Sequence, residues 1–173
     1  MNNKLMRSLV AGVIFSVGML PLAAQAEKSP VADTQVAAMV EALRLAAPQK
    51  KKPTPGYHTD WQIKPQTLKG WSRFCLKKEL TTSQFENDPK LTRQVVSCII
   101  KRELTNQFKA RNNNENAAVT GAACWWMTGL YTGCDKGFTG DYVKKVVSLY
   151  QQEKAKLKAV NTPTSTTTGN TKR

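Results

Sequence analysis

Four cysteines carry the most definite chemistry in this chain. The spacings from Cys75 to Cys98 and from Cys124 to Cys134 match no paired zinc-binding pattern, and no Cys-x-x-Cys pair for redox exchange or haem attachment occurs. We therefore expect no metal and no cofactor. An even number of cysteines favours two disulfides in an oxidising compartment, with buried free thiols as the alternative. Three pairings are possible, and pairing of sequence neighbours would join Cys75 to Cys98 and Cys124 to Cys134.

Residues suited to acid–base or nucleophilic catalysis are few. His58 is the single histidine, and the chain contains no Gly-x-Ser-x-Gly elbow for a hydrolytic serine. A glycosidase needs two carboxylates that face each other across a cleft. Four glutamates are candidates, and each has a basic neighbour or a helix-capping position that could occupy it: Glu79, Glu86, Glu103 and Glu115. We predict a protein that is not an enzyme, with a cell-wall glycan hydrolase that uses a helix-borne glutamate as the alternative.

Tryptophans are the next candidates, because exposed aromatic faces can stack on sugar rings or bases. Trp71 belongs to the apolar face of a predicted helix, and we expect it in the core. Trp125 and Trp126 are adjacent in a predicted helix and point about 100° apart, so both are buried only if that helix is covered on two sides. We predict that one of this pair reaches the surface and is a candidate aromatic contact with a partner.

The chain is strongly basic, with 26 lysines and arginines against 12 acidic residues and a formal charge of +14. Such a charge favours anionic partners, namely envelope lipid or acidic polysaccharide. Without a nucleic-acid-binding motif, and with the secretion signal described next, we expect no nucleic-acid partner. The predicted binding residues are five lysines of the last helix: Lys144, Lys145, Lys154, Lys156 and Lys158. The alternative is that these lysines form a solvated face.

The amino terminus has the order of a secretion signal. Lys4 and Arg7 precede an uncharged apolar run over residues 9–20, which is followed by Ala24-Gln25-Ala26. The run of twelve residues is shorter than the roughly 20 that cross a bilayer as a helix, so we predict cleavage after Ala26 rather than a membrane anchor. The mature chain would then be secreted to the periplasm or the medium, without a membrane span.

Helical periodicity predicts an all-α protein. A short amphipathic helix over residues 31–47 is followed by a Pro- and Lys-rich linker that ends at Gly56. A helical domain with two disulfides follows over residues 57–160, and residues 161–173 are polar enough to be a disordered tail. The predicted organisation is a signal over residues 1–26, the helix and linker over 27–56, the domain over 57–160 and the tail.

Four or five helices are expected in this domain. One begins at Pro65 and extends to about Glu79, and Ser83 and Glu86 have the spacing of a capping box for a short turn. Asp88-Pro89 is a strong start signal for a long central helix. Two further starts are expected, at Glu115 with Asn114 as the cap and at about Asp141 after a glycine-rich loop.

Several motifs of the domain resemble those of small exported cyanobacterial proteins. They are the run Tyr57-His58-Thr59-Asp60-Trp61-Gln62-Ile63-Lys64-Pro65, then Trp71 with Cys75, the helical Cys98, and Trp125-Trp126-Met127-Thr128-Gly129. The resemblance covers about residues 57–151. It implies a secreted helical domain and assigns no activity and no site residue.

The sequence thus favours an uncharacterised secreted, basic, helical binding protein. We expect it to meet an anionic envelope or extracellular partner, and we expect no catalysis.

Overall fold

The regular secondary structure of the described part of the chain is helical, apart from one isolated bridge between His58 and Ile63. A computed structural model describes residues 31–48 and 56–161, which contain six α-helices and no β-strand. The all-α prediction is confirmed. The predicted signal, the lysines of the linker and the tail beyond Asn161 lie outside the described residues. In chain order the helices are α1 (Asp33–Ala46), α2 (Pro65–Leu76), α3 (Thr82–Asn87), α4 (Pro89–Ala110), α5 (Glu115–Thr128) and α6 (Gly137–Asn161).

Two predicted helix starts are confirmed by their caps. The Asp88 carboxylate accepts a hydrogen bond from the Leu91 amide at 2.9 Å, and Pro89 occupies the first helical position of α4. The Asn114 side chain accepts from the Ala117 amide at 3.0 Å and begins α5. These side chains satisfy amides that have no acceptor within their own helix.

The cap of α3 lies two residues before the predicted one. Thr81 and Gln84 form the capping box, in which the Thr81 amide donates to the Gln84 side chain at 2.8 Å. Leu80 and Phe85 occupy the positions that form a hydrophobic staple, and both are buried. Burial of this apolar pair therefore favours Thr81 as the cap over Ser83, which has the same spacing to a polar partner.

The last helix begins four residues earlier than predicted, at Gly137. A β-carbon at Gly140 would lie 2.9 Å from the carbonyl carbon of Asp135. Gly140 is therefore a point of close contact with the preceding loop and not part of the loop itself. This explains why glycine content alone placed the helix start too late.

The core joins helices that are distant in sequence. Helix α1 packs on α6 and α4, and its small residues Ala38, Ala42 and Ala46 are buried along with its larger apolar ones. Helix α1 belongs to the segment predicted to precede the domain, and it contributes buried residues to the main core. Alanines do not stand out in a hydrophobic pattern, yet they permit close helix contact, so the pattern understated how much of α1 is covered.

Residues 56–64, which precede α2, lie across this core. Trp61 is buried, and its indole N–H donates to the Val40 carbonyl of α1 at 2.9 Å. The Arg93 guanidinium of α4 lies 5.4 Å from the centre of the Trp61 ring. This segment therefore ties α1 to the rest of the domain.

Both disulfides join neighbours in the sequence, as the simplest pairing predicted. Cys75–Cys98 connects α2 to α4 with a Cα–Cα distance of 6.1 Å. Cys124–Cys134 closes the loop between α5 and α6 with a Cα–Cα distance of 5.7 Å. Within residues 31–48 and 56–161, no helix combines the length and apolar character needed to cross a membrane.

Candidate functional site

Five aromatic residues from α2, α5 and the α5–α6 loop meet at one surface, which we call the aromatic patch. Trp125 stacks with Trp71 at 6.2 Å between ring centres and with Tyr131 at 6.4 Å. Trp126 also contacts Trp71, at 5.4 Å and with tilted planes. Phe74 lies one helical turn after Trp71 on α2. The patch is therefore assembled from residues up to 60 positions apart.

Much of the aromatic patch remains open to solvent. Phe74 is 48% exposed, and all three tryptophans of the patch are half-buried. Leu130, next to Tyr131 in the loop, is 65% exposed. The expectation that Trp71 lies in the core is therefore wrong: Trp71 packs against the core from its edge, where it also supports the other rings.

A buried carboxylate lies beneath the aromatic patch. Glu103 of α4 is only 2% exposed, and its Oε1 accepts from the Arg102 Nε at 2.6 Å. Its Oε2 accepts from the Tyr131 hydroxyl at 2.5 Å. The hydrogen bond to Glu103 is the main cause that raises the pKa of Tyr131 to about 12, since loss of the phenolic proton would place two negative charges in contact.

Two cations lie against the exposed phenyl ring of the patch. The Arg102 guanidinium is 4.8 Å from the centre of the Phe74 ring, and the Lys77 ammonium is 5.5 Å from it. The Arg102 guanidinium therefore lies over the Phe74 ring and also donates to Glu103. A continuous chain of contacts runs from Phe74 through Arg102 and Glu103 to Tyr131, and returns through Trp125 and Trp71 to α2.

The other glutamates considered for catalysis have partners of their own. Glu79 lies 3.4 Å from Arg73, and Glu86 lies 2.5 Å from the His58 ring nitrogen. Glu115 accepts from Tyr150 at 2.7 Å and from Lys154. These three carboxylates contact basic or hydroxyl side chains of other helices or loops, and the contacts of Glu103 are with a guanidinium and a phenol. Such contacts suit structural roles, whereas a glycosidase needs two carboxylates aimed at one substrate.

The five predicted binding lysines all belong to α6, and most of them are exposed. Lys154 and Lys156 are paired with Glu115 and Glu153, and Lys144 lies 4.0 Å from Asp141. The remaining two are Lys145, whose ammonium donates to the Ala46 carbonyl of α1, and Lys158, which is exposed in the last turn of α6. Their role in binding an anionic partner stays a prediction.

No cluster of His, Cys, Asp or Glu that could hold a metal ion occurs within residues 31–48 and 56–161. The cysteines there are all in disulfides, which leaves no thiolate for coordination.

Sequence reasoning singled out the tryptophans but missed their neighbours. The sequence pattern singles out neither Phe74 nor Tyr131. A useful signal was available: the Cys124–Cys134 pairing brings the loop back towards the end of α5, where Trp125 and Trp126 lie. The pairing of Glu103 with Tyr131 could not be read from the sequence, because it depends on how α4 packs beside that loop.

The whole chain was also compared with known proteins. No family model, no curated protein and no solved structure matches it.

Proposed function

We propose that this is a non-enzymatic binding protein of the cell envelope or the extracellular space, which meets an anionic partner through the aromatic patch. The observation that carries the proposal is a cluster of four contacting, partly exposed aromatic rings beside Phe74, whose own ring has two cations over it. An exposed apolar surface bordered by polar groups is typical of an interaction site. The basic composition of the chain adds attraction to negative charge.

The two components of the surface would make different contributions. Full burial of one large apolar side chain contributes about 1.5–3 kcal/mol, and a lysine near an anionic surface contributes about 1 kcal/mol. Association costs at least about 4 kcal/mol in lost freedom of motion. Neither one ring nor one cation is enough, so the proposal requires the rings and the cations to act together.

A hydrolase is less well supported by the same geometry. Glu103 is the glutamate beside the aromatic rings, but it is buried, and both of its oxygens accept hydrogen bonds. A general acid or base must reach the substrate directly or through one water. Glu103 is better suited to hold Tyr131 and Arg102 in place.

Secretion is part of the proposal. Its support is the predicted signal over residues 1–26 together with two disulfides, which are typical of oxidising compartments.

The test is a binding survey with the mature protein that starts at Glu27. Vesicles with and without anionic lipid, an acidic polysaccharide, a neutral polysaccharide and peptidoglycan would each be assayed by co-sedimentation at low and high salt. We expect association with an anionic material and a marked decrease at high salt, because screening shortens the range of charge attraction. Retention by none of these materials at low salt would contradict the proposal.

A further inference from the structure

We infer that the anionic partner is a lipid bilayer surface, and that the aromatic patch and Leu130 enter its interfacial layer while the protein stays outside the hydrocarbon core. This inference rests on the proposed function and names the partner class for the same surface. Tryptophan and tyrosine concentrate at membrane interfaces, where one part of the ring system is apolar and the other is wet.

The arrangement of the rings favours lipid over sugar. A sugar stacks on a free aromatic face, but Trp125 already stacks with both Trp71 and Tyr131. The Phe74 ring has two cations near it, Arg102 and Lys77. Neighbouring groups therefore compete with a sugar for these ring faces. Contact with lipid needs exposed apolar area and does not need an unoccupied ring face.

The α5–α6 loop adds exposed aliphatic side chains, which suit contact with lipid and contribute little to sugar binding. Leu130 is the most exposed apolar residue of the loop itself, and Met127 is also exposed in the last turn of α5. The loop turns at Gly129, whose φ of 79° is readily adopted by glycine, and the Cys124–Cys134 bond closes it. A loop held in this way loses little freedom when it binds, which favours its use as an insertion element.

Charge complementarity selects an anionic surface. Arg102 at the centre of the patch is balanced by Glu103. At the carboxyl end of α2, Arg73, Lys77 and Lys78 are exposed at the border, and Glu79 pairs with Arg73. The centre is therefore near neutral and apolar, and the border is positive. A second copy of the same surface would bring the positive borders together, so self-association is disfavoured.

The four tryptophans supply an internal probe for the experiment. Three of them belong to the aromatic patch, and Trp61 is buried with its indole bonded to Val40. The mature protein would be mixed with anionic vesicles whose acyl chains carry bromine atoms, which quench tryptophan fluorescence only at short range. We expect most of the fluorescence to be quenched, and a residual signal from Trp61 to persist. Matched vesicles without bromine give the reference.

Two single variants make the test specific. Leu130→Ser alters the exposed leucine of the loop beside the patch, and Val160→Ser alters another exposed aliphatic residue, which is 82% exposed near the end of α6. The carboxyl part of α6 lies by the start of α5, since Lys154 pairs with Glu115, so Val160 is far from Trp125. We expect Leu130→Ser to reduce vesicle affinity severalfold and Val160→Ser to leave it unchanged, with both variants retaining the helical circular dichroism of the native protein.

The outcomes separate this inference from the proposed function. One outcome is that brominated lipid causes no quenching, while the protein binds acidic polysaccharide and Leu130→Ser or Phe74→Ser weakens that binding. This outcome would overturn the lipid inference and leave the proposed function standing. Loss of the apolar surface through dimer formation, detected by light scattering before any ligand is added, would also overturn it. Equal effects of Leu130→Ser and Val160→Ser on vesicle binding would show that the aromatic patch is not the binding surface. That result would contradict both the lipid inference and the proposed function.

Discussion

At the scale of single residues, the buried glutamate of α4 determines how the surface is held. Glu103 is acceptable in a buried position because a guanidinium and a hydroxyl group satisfy its two oxygens. Its partners are both parts of the surface: Arg102 lies against Phe74, and Tyr131 stacks on Trp125. One carboxylate therefore fixes two surface groups that come from different elements.

Replacing this carboxylate should change both stability and the titration of its partner. In Glu103→Gln we expect the pKa of Tyr131 to fall from about 12 towards its ordinary value of 10.0, because the negative charge that opposes phenolate formation is removed. We also expect the free energy of unfolding to decrease by roughly 1–3 kcal/mol, since charge-assisted hydrogen bonds are lost in a buried site. Ultraviolet titration of the tyrosines would measure the first effect and denaturant unfolding the second.

Tyr131→Phe is the control that assigns the titration step. The high-pH step that moves in Glu103→Gln should be absent from Tyr131→Phe. A native-like titration in Glu103→Gln would show that Glu103 and Tyr131 do not interact in solution.

A second residue prediction concerns acid stability. Hydrogen bonds from Arg44 and Arg93 lower the pKa of Glu41 from 4.5 to about 2, and Arg93 belongs to α4. The folded protein therefore releases this proton more readily than the unfolded chain does, so Glu41 contributes stability above pH 4.5 that is lost as the pH falls towards 2. We expect Glu41→Gln to unfold more easily at neutral pH, by about 1–3 kcal/mol, and to show a smaller loss of stability between those two pH values. Urea unfolding at a series of pH values measures both, and parallel pH profiles for the two proteins would contradict this role.

At the scale of the elements, local signals predicted the helix starts well. Asp88-Pro89 and Asn114 act within one turn of the chain, and both caps form as expected. Disulfide pairing followed sequence neighbours: Cys75–Cys98 links α2 to α4 across α3, and Cys124–Cys134 closes the loop between α5 and α6. The position of α1 could not be predicted in this way, since its burial depends on contacts with α6 more than 90 residues away.

The aromatic patch escaped prediction for a similar reason. Trp125 and Trp126 were recognisable from the sequence, but the structure brings them to Trp71 through the packing of α2 and α5 around α4. Side-chain type indicated the chemistry, whereas tertiary packing determined which side chains share a surface.

The loop disulfide should matter for stability and for binding. Replacing Cys124 and Cys134 together by alanine removes a constraint on the unfolded chain, and we expect unfolding to become easier by about 3 kcal/mol. The α5–α6 loop should also lose its fixed shape, so the contact between Tyr131 and Glu103 weakens and vesicle binding falls. Thermal unfolding and vesicle co-sedimentation measure the two effects, at a temperature where the variant remains folded.

The comparison protein for this variant is Leu130→Ser, which keeps the disulfide and changes only an exposed side chain. It should bind vesicles weakly but unfold like the native protein. If removal of the disulfide lowers stability and leaves binding intact, the loop does not contribute to the binding surface.

At the scale of the whole molecule, cleavage of the predicted secretion signal also determines the net charge of the mature protein. Cleavage after Ala26 would remove two of the 26 basic residues and none of the 12 acidic ones, which leaves a formal charge of +12. We predict that exported protein begins at Glu27, and intact mass spectrometry measures this directly. Exported protein that retains residues 1–26 would contradict the secretion signal.

Two separate surfaces could account for attraction to an anionic partner, and the contacts of their side chains favour the aromatic patch. The aromatic patch combines apolar area with nearby cations, whereas four of the lysines of α6 already contact Asp141, Glu115, Glu153 or the Ala46 carbonyl. Ion pairs at the surface contribute little to stability, so variants of either surface should remain folded.

The most direct test is therefore the affinity for anionic vesicles of three proteins at low salt: the native mature protein, Phe74→Ser with Leu130→Ser, and Lys144→Gln with Lys156→Gln and Lys158→Gln. We predict a loss of affinity of about tenfold or more for the first variant, equivalent to about 1.4 kcal/mol of lost apolar contact, and a smaller loss for the lysine variant. Native-like binding by the first variant together with lost binding by the lysine variant would contradict the account and assign the interaction to α6.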